Sequence, residues 1–427
     1  MWKLDGWRHW MCKGALAGVV AGAAVGVGAQ PPAAPPAAHW STSWFAAPEP
    51  AWGPAFVVPP GMPAQVENVT LRQALRLSVG GRRIRLMVSN AHGAGPLQLG
   101  RAGVATTGMA GAPVPVRFQG REAIVVAAGA QALSDPVDLP VADGERLRVD
   151  LYLPAATAVA GYHWDARERG WLIPGDATDT AGSAAPATGT PLDSRAFLGA
   201  VLVESAHRPA AVVTLGDSIT DGNGSTPGAD RRWPDQLARR FAPEGVAVLN
   251  AGISGNRLLR HGMGESALSR LQRDVLSHPG VCAVVVLLGT NDIGWPGGPF
   301  APHEALPAAG DIARGFEQLA GQLHLRGVRV IGATLPPFED ALKGTPLEGH
   351  YSAPKEAVRQ SLNAWIRDRG PFDAVVDFDR VLRDPARPSR LLPAFDSGDH
   401  LHPGDAGYAA MAAAIPLREL SGWCASP

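Results

Sequence analysis

Apolar and polar residues alternate with a period of two along much of the first half of the chain. Leu75-Arg76-Leu77-Ser78-Val79, Arg83-Ile84-Arg85-Leu86-Met87-Val88 and Arg146-Leu147-Arg148-Val149-Asp150-Leu151-Tyr152-Leu153 all follow it. This pattern predicts strands with one face buried and the other turned to solvent. Turn formers punctuate them at Gly80-Gly81, Asn90 to Gly93, Gly108 to Pro113 and Ala142-Asp143-Gly144, and no helix-period window of useful length intervenes. The expectation for residues 39–200 is therefore an antiparallel β-sandwich domain of jelly-roll type.

After Pro209 the period changes, and short apolar runs alternate with amphipathic helices, which predicts a flavodoxin-like, doubly wound parallel sheet over 209–427. Strands are expected at Ala211 to Leu215, Val246 to Asn250, Ala283 to Leu288, Val328 to Thr334 and Ala374 to Phe378. Helices are expected near Trp233 to Phe241, Ser266 to Leu276, Asp311 to Arg326 and Pro354 to Asp368. In such sheets ligands bind beyond the carboxyl ends of the strands, so residues just after the first three strands should converge.

A length of 427 residues suits two domains of ordinary size. The start of the chain belongs to neither. Lys3, Arg8 and Lys13 precede an apolar stretch from Ala15 to Ala29, and Val27-Gly28-Ala29 has the small-residue form of a cleavage site. Residues 1–29 read as a signal peptide, too short and too weakly apolar to anchor the chain in a membrane. The Pro/Ala run at 30–38 reads as a stiff spacer, and the expected location is periplasmic or extracellular. With 38 basic and 39 acidic side chains, nothing favours nucleic acid or an anionic membrane as partner. Cys12 would leave with the leader. Cys282 and Cys424 remain, either paired in an oxidising compartment or as separate thiols, and spacing does not choose between them.

The residues with chemical potential fall where the topology asks for them. Gly216-Asp217-Ser218-Ile219-Thr220-Asp221-Gly222 follows the first strand, Asn250-Ala251-Gly252-Ile253-Ser254-Gly255-Asn256 the second, and Gly289-Thr290-Asn291-Asp292 the third. Asp399-His400-Leu401-His402-Pro403 is expected to open the last helix, with Pro403 in its first turn. An ester hydrolase needs a hydroxyl activated by an imidazole, a carboxylate to fix the imidazole tautomer, and donors aimed at the developing oxyanion. Ser218, His402 and Asp399 fit the first three roles. The backbone N–H groups of Ser218 and Gly255 and the side-chain amide of Asn291 fit the last. Asp217 and Asp292 read as loop-holding residues bonded to neighbouring backbone N–H groups.

Taken together and in order, these four blocks resemble the SGNH or GDSL-type serine hydrolase family. The resemblance favours Gly255 over Gly252 as the oxyanion donor and implies the SGNH hydrolase fold, with no cofactor or metal. Upstream, Thr70-Leu71-Arg72-Gln73 and Val88-Ser89-Asn90-Ala91-His92-Gly93 look like the N-terminal β-domain of bacterial two-domain members, apart from His92, where an aromatic residue is usual. The implied activity is hydrolysis of carboxylic esters with short acyl groups, small or polysaccharide-linked, including acetyl esters of carbohydrates. An acyltransferase using the same site, or a non-catalytic carbohydrate-binding protein, are the alternatives.

Competing readings attach to several residues. His400 beside His402, with Asp396, Asp399 and Asp405, offers ligands to a metal, but that would leave Ser218, Gly255 and Asn291 without a shared purpose. Trp233 is expected to begin a helix and pack on the sheet, the competing reading being a wall of the acyl pocket. His163, Trp164 and Trp171 lie in a turn-rich stretch, where filling the sandwich edge is favoured over facing the site.

Overall fold

Strand pairing in the first half of the chain is antiparallel throughout. The computed structural model describes residues 39–54, 56–182, 186, 188–205 and 208–425; the expected leader and spacer lie outside them. A four-stranded sheet runs in the order His39–Phe45, Leu198–Ser205, Ile84–Ser89, Gln131–Leu133. A six-stranded sheet has Val69–Arg76 and Arg146–Leu153 at its centre, paired residue for residue from Arg146 opposite Arg76 to Leu153 opposite Val69. Leu147, Val149, Leu151 and Leu153 point to one side, into the core. The opposite face departs from the expected solvent exposure. Arg148 and Asp150 are buried there, Asp150 pairs with Arg72 at 2.8 Å, and the segment that follows Asp176 covers them, its Thr180 and Gly182 carbonyls accepting from Arg148. Polar alternation marks a second face, but it does not say whether water or chain lies over it.

The second half forms a parallel sheet of five strands in the order Ala247–Gly252, Ala211–Gly216, Val281–Leu287, Arg329–Ala333, Ala374–Val376. Numbered along the chain this is 2-1-3-4-5, and the order reverses between the first and third strands. The helices Trp233–Phe241, Ala267–Leu271, Ala309–His324 and Ala353–Arg369 match the expected ones, the second of them continued by a π-helical turn, Gln272–Leu276. Trp233 is fully buried against Phe378, as expected of a residue packing on the sheet. Asp399 to Pro403 do not open a helix. Gly404 caps Asp405–Ala414, a further helix Leu417–Ala425 follows, and Asp399 and His402 stand in the preceding loop.

Several links join the halves and tie down the C-terminal region, two of them at the parallel sheet. Ser78 Oγ accepts from the N–H of Val248 at 2.8 Å, covering part of the open edge of the parallel sheet. Cys282, on the third parallel strand, is joined by a disulfide to Cys424 in the final helix, with the Cα atoms 5.1 Å apart.

Candidate active site

Ser218 opens the four-residue helix Ser218–Asp221 immediately beyond the first parallel strand. Asp217 caps this helix, its Oδ1 accepting from the Ile219 N–H at 3.0 Å, while Oδ2 finds no partner among the described residues. Burial pushes the Asp217 carboxyl up to about 7, against the opposing pull of the Ile219 N–H and of nearby His402.

His402 reaches Ser218 across the strand ends, Nε2 lying 2.9 Å from Oγ. Its Nδ1 faces Asp399 Oδ2 at 2.6 Å, and Asp399 Oδ1 accepts from the backbone N–H groups of Leu401 and His402 at 2.9 and 2.8 Å. Burial acts to raise the Asp399 pKa, but the hydrogen bonds and charge of His402 and the two backbone N–H groups hold it well below the usual carboxylate range. An ionised carboxylate only accepts, so Nδ1 carries a proton and Nε2 offers its lone pair to the serine hydroxyl.

Gly255 lies past the second strand with φ +71°. A Cβ there would stand 2.5 Å from Met263 Sδ and 2.8 Å from the Trp295 ring, so both backbone conformation and space require glycine. Asn291 sits in the helix Thr290–Gly294 after the third strand and spends one amide proton on the Asn256 carbonyl, 3.0 Å away. Its other N–H remains available to the cleft. Ser218, Gly255, Asn291 and His402 all line one cleft of about 100 Å³ whose remaining walls are mostly apolar, including Trp164, Trp295 and Phe300. Asp292 does hold a loop, though not its own: it accepts from Leu258 and Leu259 N–H at 2.7 and 3.0 Å, pinning the chain just after Gly255. Burial raises its carboxyl as well.

Residues 214–410 match the model of the GDSL-like lipase/acylhydrolase family. This part of the chain belongs to that family. It is a hydrolase region, and it contains every block described above. No curated protein matches the chain. Among solved structures it is similar to a carbohydrate acetylesterase family member from Sinorhizobium meliloti, at 19% identity over 50% of this chain and 99% of that one, TM-score 0.38. It is also similar to a GDSL-like lipase from Bacteroides thetaiotaomicron, at 22% identity over 50% and 88%, TM-score 0.35. A family two carbohydrate esterase from Cellvibrio japonicus aligns over 90% of this chain and 96% of its own, at 14% identity and TM-score 0.37.

Other residues lie where the sequence did not put them. The acidic and histidine residues that suggested a metal separate into pairs: His400 faces Asp396 at 2.5 Å, His402 faces Asp399, and Asp405 accepts from Thr226. Trp164 lines the cleft instead of filling a sandwich edge, whereas Trp171 lies in the six-stranded sheet. His163 is buried between the halves, its Nδ1 3.0 Å from the Ala47 carbonyl and its Nε2 3.0 Å from Asp221 Oδ1. The carbonyl can only accept, so Nδ1 carries a proton; one further proton lies between Nε2 and Asp221. Asp221 Oδ2 is 2.9 Å from the hydroxyl of Ser254, the neighbour of Gly255. His92, the departure from the family pattern, sits 3.4 Å from the Pro48 carbonyl, away from the cleft.

Arg270 gave no signal beyond being a charged position in an expected helix. It is fully buried, pairs with Asp274, and donates to the Gly216 and Ala251 carbonyls and to Asn256 Oδ1. One guanidinium thus ties together the ends of two strands and the loop after Gly255, a use that its planar fork of donors suits. His350 also borders the cleft, kept neutral by burial and by nearby Lys355, which together push it down to about 3.

Proposed function

We propose that the protein is an exported esterase that hydrolyses carboxylic esters of short acyl groups through an acyl-enzyme on Ser218. His402 takes the Ser218 proton as Oγ attacks the ester carbonyl. The N–H groups of Ser218 and Gly255 and the free amide proton of Asn291 receive the oxyanion. Collapse of the tetrahedral intermediate breaks the acyl–oxygen bond, and His402 returns the proton to the departing alcohol. Water, deprotonated by His402, then attacks the acyl-enzyme, and a second collapse releases the acid and restores the serine. Asp217 and Asp292 hold the loops and take no part in proton transfer. The observation that carries this reading is the unbroken contact from Asp399 through His402 to Ser218, at 2.6 and 2.9 Å. The leader-like residues 1–29 support export, as does the Cys282–Cys424 bond, a link of the kind that persists in oxidising compartments.

Reaction of the purified protein with a fluorophosphonate and turnover of p-nitrophenyl acetate test the mechanism. Both are expected in the wild type, both should vanish in Ser218→Ala, and neither should respond to chelator. Turnover that survives Ser218→Ala would overturn the proposal. Recovery of the processed chain from the medium or periplasm tests export; retention of the full-length chain in the cytoplasm would refute it.

A further inference from the structure

The cleft has two walls of different origin. One joins Met263, Trp295 and Ala301 of the α/β half to Val58 of the β half in a single apolar cluster, with Trp164 and Phe300 packed on it. This wall abuts Gly255, since Met263 and Trp295 are the groups that a Cβ at Gly255 would strike. The other wall, Leu401 of the main core and Leu342 packed against it, adjoins His402; Trp164 touches both the main core and the smaller cluster. His402 must return its proton to the leaving alcohol, so the alcohol occupies the His402 side and the acyl chain the Gly255 side.

The β half holds Trp164 in this wall with unusual care. Its backbone N–H donates to Glu49 Oε1 at 2.8 Å, its carbonyl accepts from Ser194 Oγ at 2.5 Å, and its indole N–H donates to the Pro59 carbonyl at 3.0 Å. Glu49 is buried, and burial with the nearby charge of Asp221 pushes its carboxyl well up. A carboxyl taken out of water is costly, and among the described residues the hydrogen bond that the Glu49 side chain accepts comes from Trp164.

We propose that Trp164, supplied by the β half, is the specificity-determining residue that limits the length of the acyl group. The inference rests on the esterase reading above and deepens it. The free space of about 100 Å³ falls well below the roughly 300–1,000 Å³ of a site for a drug-sized ligand, and suits acetyl or propionyl groups. Trp164 and Val58 both line that space, in the wall that abuts Gly255.

The test is a series of p-nitrophenyl esters from acetate to octanoate, which holds the alcohol constant. Trp164→Ala is expected to raise the ratio of kcat/KM for butyrate over acetate by at least about ten-fold, since each methylene admitted to an apolar pocket changes the rate by about 10- to 200-fold. Val58→Phe, a change that keeps the anchoring of Trp164 intact, should lower the propionate-to-acetate ratio. Leu342→Ala, on the opposite wall, should leave the acyl ratio within about two-fold of wild type. An acyl ratio unmoved in both Trp164→Ala and Val58→Phe, with wild-type turnover intact, overturns this inference alone. A ratio that shifts equally in Leu342→Ala also overturns it, because the walls would then not be divided between acyl group and alcohol. Absence of wild-type turnover on every ester would overturn the esterase reading and this inference with it.

Discussion

Asp399 grips His402 twice, through the ring and through the backbone, and the two grips have separate consequences. Asp399→Asn keeps an oxygen to accept from the backbone N–H groups but can present an amide to Nδ1, favouring the wrong tautomer. The expected result is a fall in kcat of about 10⁴-fold together with a lower melting temperature at neutral pH, where the ionised Asp399 stabilises the folded chain, read from turnover and thermal unfolding of the same preparation. Asn291→Ala is expected to lower kcat by about 10²- to 10³-fold and leave KM nearly unchanged, because the lost donor acts on the oxyanion and not on the bound ester. Asp217 makes a prediction about pH. Its pKa is about 7 in the folded chain and about 3.9 when unfolded. Between these values the folded state holds the extra proton, so this group's contribution to stability declines as pH rises through that window. Asp217→Asn removes the ionisation, and the melting temperature of the variant minus that of the wild type should increase from about pH 5 to about pH 8. A difference that stays flat across that range would show that Asp217 is not buried in this way.

The final helix and the segment around His163 owe their places to links that span long stretches of chain. The Cys282–Cys424 bond closes a separation of 142 residues. In the chain-entropy picture such a loop contributes up to about 5 kcal/mol by restricting the unfolded chain. Replacing both cysteines with serine should lower the melting temperature, and added reductant should then depress the wild type while leaving the variant unmoved. His163 and Asp221 form a buried contact between the β half and the short helix that begins at Ser218. His163→Leu would strand the Asp221 carboxylate without its partner and is expected to cost about 3 kcal/mol in urea unfolding. A cost under about 0.5 kcal/mol, the size expected of an ordinary surface change, would mean that the contact does not hold the halves together.

Seen complete, the chain shows what a sequence can and cannot reveal about a site of this kind. The five parallel strands were legible because each is a short apolar run bounded by turns, and topology then forced Ser218, Gly255 and Asn291 onto one edge. Trp164 and His163 were not legible. They stand in a stretch without period, and their partners Pro59, Glu49 and Asp221 are fixed only when two sheets dock. Arg270 was hidden for a related reason, since a charge within an amphipathic helix is expected on its wet face and here lies on the buried one. The disulfide needed the position of the final helix, which spacing does not contain. The cross-links between halves lead to an expectation for the molecule: residues 39–425 should unfold in a single transition by tryptophan fluorescence and circular dichroism alike. The α/β half expressed alone should lack most of the activity, having lost Trp164, Val58 and the Ser78 cover on its sheet edge. The ladder of the parallel sheet carries one more consequence. Gly216 stands level with Gly252 on one side and Leu287 on the other, so the three loops that bear Ser218, Gly255 and Asn291 leave from the same height. One residue inserted in any of these strands would shift its loop by about 3.3 Å and turn its side chains to the other face. Extra residues in the exposed turn at 108–112 would disturb neither, so the periphery of this chain can take insertions that its three short strands cannot.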